Sequence, residues 1–285
     1  RLAEREQQPR TDIVHILKAI ALLTGLLERD RVFPGPPVIF QVGLNLTEQA
    51  HQGAIPHVVG REPEIDLLIE TLCRPLNPYA VLVGIEGVGR RAVVQGVAQR
   101  IADGSAPEPL RNRPLIMLPQ MLDHPNLLNA LLEEATQHHA ILYIEPFETF
   151  LSAPAPPVEV LRMEFLSALI ARRVPIIGAT SSLQGLRRHI NRAPALLKRF
   201  QPIPIRPMTA DATLTVLQQL AALFAEQQGI LFPEETLRLI VEVAGDHIQH
   251  RPFPDKAILL MDHIAGRERA HGLTQIEPRL VWESA

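Results

Sequence analysis

The fold of this chain is constrained most by short apolar runs set between longer amphipathic stretches: YAVLVG (79–84), PLIMLP (114–119), AILYIE (140–145) and VPIIGAT (174–180). A strand buried on both faces reads as a nearly continuous apolar run, and helices between such strands cross over to keep them parallel. The pattern predicts an α/β sandwich around a parallel sheet, with FQPIPI (200–205) as one further strand. Beyond it the chain reads as helix only, over 210–228, 233–245 and 254–272. Gly229, Gly245 and Gly272 fall where helix C-caps are expected. A small all-α subdomain therefore follows the α/β unit.

Upstream, residues 1–32 read as a charged lead and one helix, with Thr11 or Asp12 as N-cap before Ile13, Ile16, Leu17, Ile20 and Leu23. A proline-rich linker follows, so the expected organisation is 1–42 for N-terminal helix and linker, 43–207 for the α/β unit and 208–285 for the helical one. The 26 prolines cluster at 33–40, 106–114, 152–159 and 201–207, where they mark connections and helix starts rather than element interiors. The longest apolar stretch, 12–28, is interrupted by His15 and Lys18 and falls short of the ~20 residues of a membrane span. It reads as a core or interface helix, and no membrane partner is expected. Because the chain opens on Arg1 and not Met, a start further upstream, with any targeting signal it carries, is expected.

With 28 basic and 31 acidic side chains, the chain offers no general attraction for nucleic acid. Its one cysteine, Cys73, excludes an internal disulfide or a thiolate-rich metal site, fits a reducing cytoplasm and reads as a small buried hydrophobe. His138, His139, His247, His250 and His263 lack the i, i+4 pairing of a zinc site. They read as loop and surface residues, and no metal site is expected.

The stretch GIEGVGRR (84–91) follows an apolar run and leads into a helix beginning near Arg90. That is the setting of a phosphate-binding loop, whose backbone N–H groups and helix N-terminus converge on an anion. Glycines needed only for strand-to-helix packing would explain Gly84, Gly87 and Gly89 equally well.

A longer, collinear likeness decides between them. From about Gly43 to Leu273 the chain resembles the first ATPase domain of the Clp-type AAA+ unfoldases, the ClpA, ClpB and ClpC group. NLTEQAHQGAIPHVVGREPEIDLLIETLCR is similar to that family's lead-in, and LVGIEGVGRRAVVQGVAQRIADGSAPEPLRNR to its P-loop and following helix. ILYIEPFETFL resembles the Walker B strand, IIGATSSLQGLRRHINRAPALLKRFQPIPI the sensor-one and arginine-finger segment, and RPFPDKAILLMD the start of the last lid helix. The likeness implies an AAA+ three-layer sandwich with a helical lid and a nucleotide site at Val58, Val59, Gly60, Gly84, Gly87, Val88, Gly89, Arg90, Arg91 and Glu145. It also implies Ser181 as sensor one and Arg199 as arginine finger. Plainer readings of these are a core turn at Val58–Gly60, a loop cap at Ser181 and a surface cation at Arg199.

The departures from the family pattern bear on function. Arg90 and Arg91 stand where the resemblance implies a phosphate-binding lysine and a magnesium-binding hydroxyl, and Glu86 replaces a proline. Arginine keeps the charge but in a bulky planar fork, and no guanidinium ligates a metal. Glu145 and Pro146 stand where the family has a magnesium-positioning aspartate and a catalytic glutamate. A missing general base is typically worth ~10²–10⁴-fold in rate. Glu148, three residues on, reads as a poorly aimed substitute or a solvated loop carboxylate. Arg91 and Glu145 are expected to form an ion pair in the metal's place. Between the second apolar run and Walker B, residues 119–140 are shorter than the family's pore-loop region and carry no Phe, Tyr or Trp. The resulting expectation is a hydrolysis-deficient module that holds ATP or ADP without magnesium, or serves only as scaffold, and associates with itself or with a Clp-type AAA+ protein. The alternative is an ATP-binding AAA+ ATPase with a non-standard active site.

Overall fold

The computed structural model describes residues 37–120, 122–152, 156–189, 196 and 198–282. The helix expected within 1–32 lies outside the described residues. Elements are numbered among the described residues. In chain order they are α1 (Val38–Val42), β1 (Leu44–Asn45), α2 (Leu46–His51), α3 (Glu62–Leu72), β2 (Tyr79–Val83), α4 (Arg90–Ala102), β3 (Leu115–Met117), α5 (Pro125–Gln137), β4 (Ile141–Ile144), α6 (Phe147–Leu151), α7 (Pro156–Ala171), β5 (Ile176–Thr180), α8 (Leu183–His189) and β6 (Gln201–Pro204). The helical part comprises α9 (Ala210–Gln228), α10 (Glu234–His247), α11 (Asp255–Ala270) and α12 (Arg279–Trp282).

All five expected strands form, in the sheet order β1-β3-β4-β5-β2-β6. The expectation of a parallel sheet needs one amendment. β3, β4, β5, β2 and β6 are mutually parallel, but β1 joins the edge antiparallel to β3. Its two residues are too few to show any periodicity. Alternate residues feed opposite cores. Tyr79, Val81, Leu142, Ile144 and Ile176 pack on the face covered by α5 and α7. Ala80, Leu82, Ile141, Tyr143 and Ile177 pack on the face covered by α3 and α4. This is why the strands read as apolar runs, since each fully buried aliphatic side chain contributes ~1.5–3 kcal/mol.

Three further expectations are corrected. Residues assigned to the linker form α1, whose Ile39 is fully buried and whose Ile39 amide donates to Glu134 Oε2 at 2.8 Å. Pro202 and Pro204 lie inside β6, not at a connection; this is an edge strand paired only with β2, and both prolines face solvent while Ile203 is buried. Gly245 lies within α10, which runs on to His247. An interior glycine costs about 1 kcal/mol against alanine, which the helix's buried face offsets. Gly229, by contrast, caps α9 in the left-handed region (φ 70°), and Gly272 follows the end of α11 at φ 75°. The first helix of the subdomain is closed at its other end by Thr209, whose Oγ1 accepts from the Ala212 amide at 3.2 Å. α9–α12 build their own core around Leu217, Ile240, Met261, Ile264 and Val281.

Candidate functional site

The loop 84–89 leaves the C-terminal end of β2 and enters α4 at Arg90, as the sequence suggested. Gly84 is required by packing, because a Cβ there would lie 2.5 Å from the Ile205 carbonyl oxygen. Gly87 is required twice over. Its φ is 86°, and a Cβ would meet Asp255 Cβ at 2.7 Å, so the N-terminus of α11 rests directly on the loop. Gly89, at φ 95°, is the N-cap of the 13-residue helix α4 and supplies no side-chain cap, so the first-turn N–H groups of that helix have no capping partner.

A buried arginine that sequence reasoning missed holds the loop in place. Arg61, 4% exposed, donates from Nη2 to the carbonyls of Val88 (2.5 Å) and Arg206 (2.8 Å) and pairs through Nη1 with Glu64 (2.7 Å). It thereby ties the segment before α3, the loop, and the connection to α9 together. Arg162 acts likewise in α7. It donates to the carbonyls of Leu122 (3.1 Å), Phe150 (3.1 Å) and Gln120 (3.1 Å) and pairs with Asp123. The segment after β3 is thus drawn onto the body of the domain. Neither arginine has a spacing signature, because its partners are mainly backbone carbonyls distant in sequence.

Between the sheet's C-terminal edge and α9 and α11 lies a cleft of about 1000 Å³. Val58, Val59, Leu220, Leu223 and Ile258 contribute its apolar lining, and Gly87, Gly89, Arg90, Arg91, Glu145, Glu148 and Ser181 line it as well. Of the sequence-derived candidates, Gly60, Gly84 and Val88 do not line it. Gly60 forms a turn (φ 72°) whose amide donates to Glu62 Oε1 at 3.0 Å, and Val88 is buried in the core. Arg199 is exposed just before β6. Because β6 runs parallel to β2 with Gln201 opposite Ala80, Arg199 sits at the end of the sheet away from the cleft. There it and Arg173 oppose the rise that burial imposes on the Tyr79 phenol pKa.

Glu145 gathers the polar groups of the site. Its Oε1 lies 3.2 Å from Arg90 Nη2 and its Oε2 lies 3.4 Å from Arg91 Nη2. The expected Arg91 pair is present, and Arg90 joins it. Tyr143, two residues earlier on the same strand face, donates its hydroxyl to Glu145 Oε2 at 2.7 Å. Burial, then the Glu145 charge and hydrogen bond, push the Tyr143 phenol pKa far up. Arg90 and Glu145 are each 11% exposed, whereas Arg91 is 59% exposed. Arg90 Nη1 is buried with no hydrogen-bond partner.

Glu148 departs from the reading of a solvated loop residue. It stands in α6, lines the cleft and accepts at Oε1 from the Ser181 amide (3.4 Å) and hydroxyl (3.3 Å). Its Oε2 is buried without a partner. Cys73, expected to be buried, is half-buried at the end of α3. Among the described residues no group of three or more His, Cys, Asp and Glu could hold a metal ion. His138 packs on Phe40, and His247 on Trp282. None of the helices among the described residues is long and apolar enough to cross a membrane.

Comparison with known proteins agrees with this architecture. Residues 209–278 match the model of an AAA lid domain. The chloroplastic chaperone protein ClpC1 of Arabidopsis thaliana is 33% identical over 244 residues, 82% of this chain and 26% of that protein. A probable ATP-dependent Clp protease ATP-binding subunit of Chlamydia pneumoniae is 31% identical over 82% of this chain and 29% of its own length. The chain thus spans about a quarter of the length of these relatives. The S. cerevisiae Hsp104:casein complex in its extended conformation superposes with a TM-score of 0.74 at 24% identity, covering 84% of this chain and 42% of that one. With the loop at the end of β2, the cleft beneath α9 and α11 and these relationships together, the chain carries a Clp-type AAA+ domain, an α/β unit followed by a helical lid.

Proposed function

We propose that this domain, with its nucleotide-binding subdomain at 43–207 and its lid at 208–285, is a hydrolysis-deficient Clp-type module that holds ATP or ADP without magnesium. It acts as a structural or regulatory subunit in the cytoplasm, by self-association or by joining a Clp-type AAA+ protein. The observation that carries this reading is the engagement of Glu145 by Arg90, Arg91 and Tyr143. Magnesium requires oxygen ligands in near-octahedral array. Here the one acidic group at the expected position already accepts from two cations and a hydroxyl, and the neighbouring hydroxyl ligand is replaced by Arg91, so the donor set does not suit the ion.

The nucleotide fits better than the metal. The uncapped start of α4, the left-handed Gly87 and Gly89 and the unpartnered Arg90 Nη1 are donors for phosphate, and the apolar lining suits a base. When bound, a nucleotide would supply the phosphate charge that these donors lack. Pro146 offers no proton acceptor where hydrolysis would need one. Arg199, exposed at the far end of the sheet, is left available to another subunit, and the anchoring of Gln120, Leu122 and Asp123 by Arg162 favours a non-threading role. A single half-buried thiol fits a reducing compartment.

The test is phosphate release from ATP and magnesium at high protein concentration, alongside analytical ultracentrifugation with and without nucleotide. The reading expects no release above the no-protein control and a concentration-dependent assembly. Turnover lost in Glu145→Gln would contradict it. A second reading, an ATPase of non-standard geometry, is favoured by the orientation of Glu148 against Ser181; turnover lost specifically in Glu148→Gln would establish it.

A further inference from the structure

Resting on the nucleotide reading above, we infer that the cleft binds metal-free nucleoside mono- and diphosphates in preference to the triphosphate, with Glu148 as the group that disfavours the longer phosphate chain. The inference begins with the charge around the cleft. Glu86, Glu148, Glu226 and Asp255 line it besides Glu145, against the guanidiniums of Arg90 and Arg91. Asp255 is neutralised by Arg251 at 2.8 Å, and Glu145 engages both cleft arginines. Glu86, Glu148 and Glu226 make no ion pair among the described residues, and none of them is offset by a lysine anywhere in the lining.

The donors available to phosphate are correspondingly few. Arg90 Nη1 is one, and the uncapped N-terminus of α4 provides the others. Both lie at the loop. A base can seat against the apolar lining supplied by Val58, Val59 and Leu223, and Glu145 and Glu148 line the same cleft as these donors. Glu148 is held there by two donations from Ser181, so it cannot swing aside without losing both. Its second oxygen is buried with no partner, so no cation among the described residues offsets the carboxylate that Glu148 adds to the cleft wall.

In an ordinary metal-dependent site the cation offsets such repulsion. That route is closed here, because a divalent ion would have to displace Arg90 and Arg91 from Glu145. Magnesium added to the solution therefore acts only on the free nucleotide, masking the phosphate charge that Arg90 and α4 recognise. Binding should weaken as magnesium is added, which is the reverse of a metal-dependent site.

Isothermal titration of the 285-residue chain with AMP, ADP and ATP in EDTA, repeated for ADP in magnesium chloride, tests this. The expected result is AMP or ADP binding at least about tenfold more tightly than ATP, a like-charge effect of ordinary size in a low-dielectric cleft. ADP binding should weaken severalfold in magnesium. Glu148→Gln, close in shape and able to keep the Ser181 contacts, should narrow the ADP-to-ATP ratio to within about threefold, with ATP affinity rising more than ADP affinity. Equal or tighter ATP binding in EDTA, strengthening by magnesium, or an unchanged ratio in Glu148→Gln would overturn the inference and leave the nucleotide reading standing. No heat with any of the three nucleotides would overturn the nucleotide reading itself.

Discussion

Replacing Glu145 with alanine separates a buried clasp from a surface contact. Arg90 and Glu145 are each 11% exposed, so removing the carboxylate leaves a guanidinium poorly solvated, with both of its terminal nitrogens unpaired. Breaking one side of a buried pair costs ~3–5 kcal/mol, and the Tyr143 hydroxyl also loses its acceptor. Arg90 retains some access to solvent through the cleft, so about 3 kcal/mol is the expected loss. For a chain of this size that lowers Tm by roughly 6–12 °C. Arg91→Ala should cost no more than ~1 kcal/mol, because Arg91 is 59% exposed and recovers its hydration. Urea denaturation followed by circular dichroism, with scanning calorimetry, measures both. Losses in Glu145→Ala and Arg91→Ala that are equal and below ~1 kcal/mol would refute the clasp as a buried element.

Tyr143→Phe removes a hydrogen bond to a charged acceptor and should destabilise by ~1.5–3 kcal/mol at neutral pH in the same denaturation assay. Because the folded phenol pKa is raised, the folded state retains a proton that the unfolded chain gives up near its ordinary pKa of about 10. Stability should therefore fall as pH rises above ~10, and this fall should be smaller in the phenylalanine variant; an identical alkaline profile would contradict it. Gly178→Ala places a methyl group 2.5 Å from the Phe147 ring and should cost ~1–3 kcal/mol, read as a lower urea midpoint at unchanged slope. The Cys73 thiol pKa is raised by burial, with Arg113 partly opposing, so native protein at pH 8 should react with a disulfide reagent more slowly than urea-unfolded protein. Equal rates would contradict that placement.

The strands were legible because burial on both faces leaves unbroken apolar runs, and the C-terminal end of α9 because Gly229 marks it. β1 was not, since two residues carry no period, and Gly245 misled because a glycine near a helix end resembles a cap whether or not its backbone turns left-handed. At the site, the pairing of Arg91 with Glu145 could be read from opposite charges at matched motif positions. The share taken by Arg90 depends on which way a long side chain turns, and that is set by packing. Tyr143 was within reach of sequence reasoning, because residues two apart on a strand share a face. Arg61 and Arg162 were not, as backbone carbonyls from distant segments leave no mark on side-chain spacing.

The most direct test of the claim that guanidiniums fill the metal's place is electron paramagnetic resonance of Mn²⁺ titrated into the purified protein. The clasp of Glu145 by Arg90, Arg91 and Tyr143 predicts no saturable site, with the free-ion signal following the buffer control in wild type and Glu145→Gln alike. A single saturable Mn²⁺ site that disappears in Glu145→Gln would contradict the account.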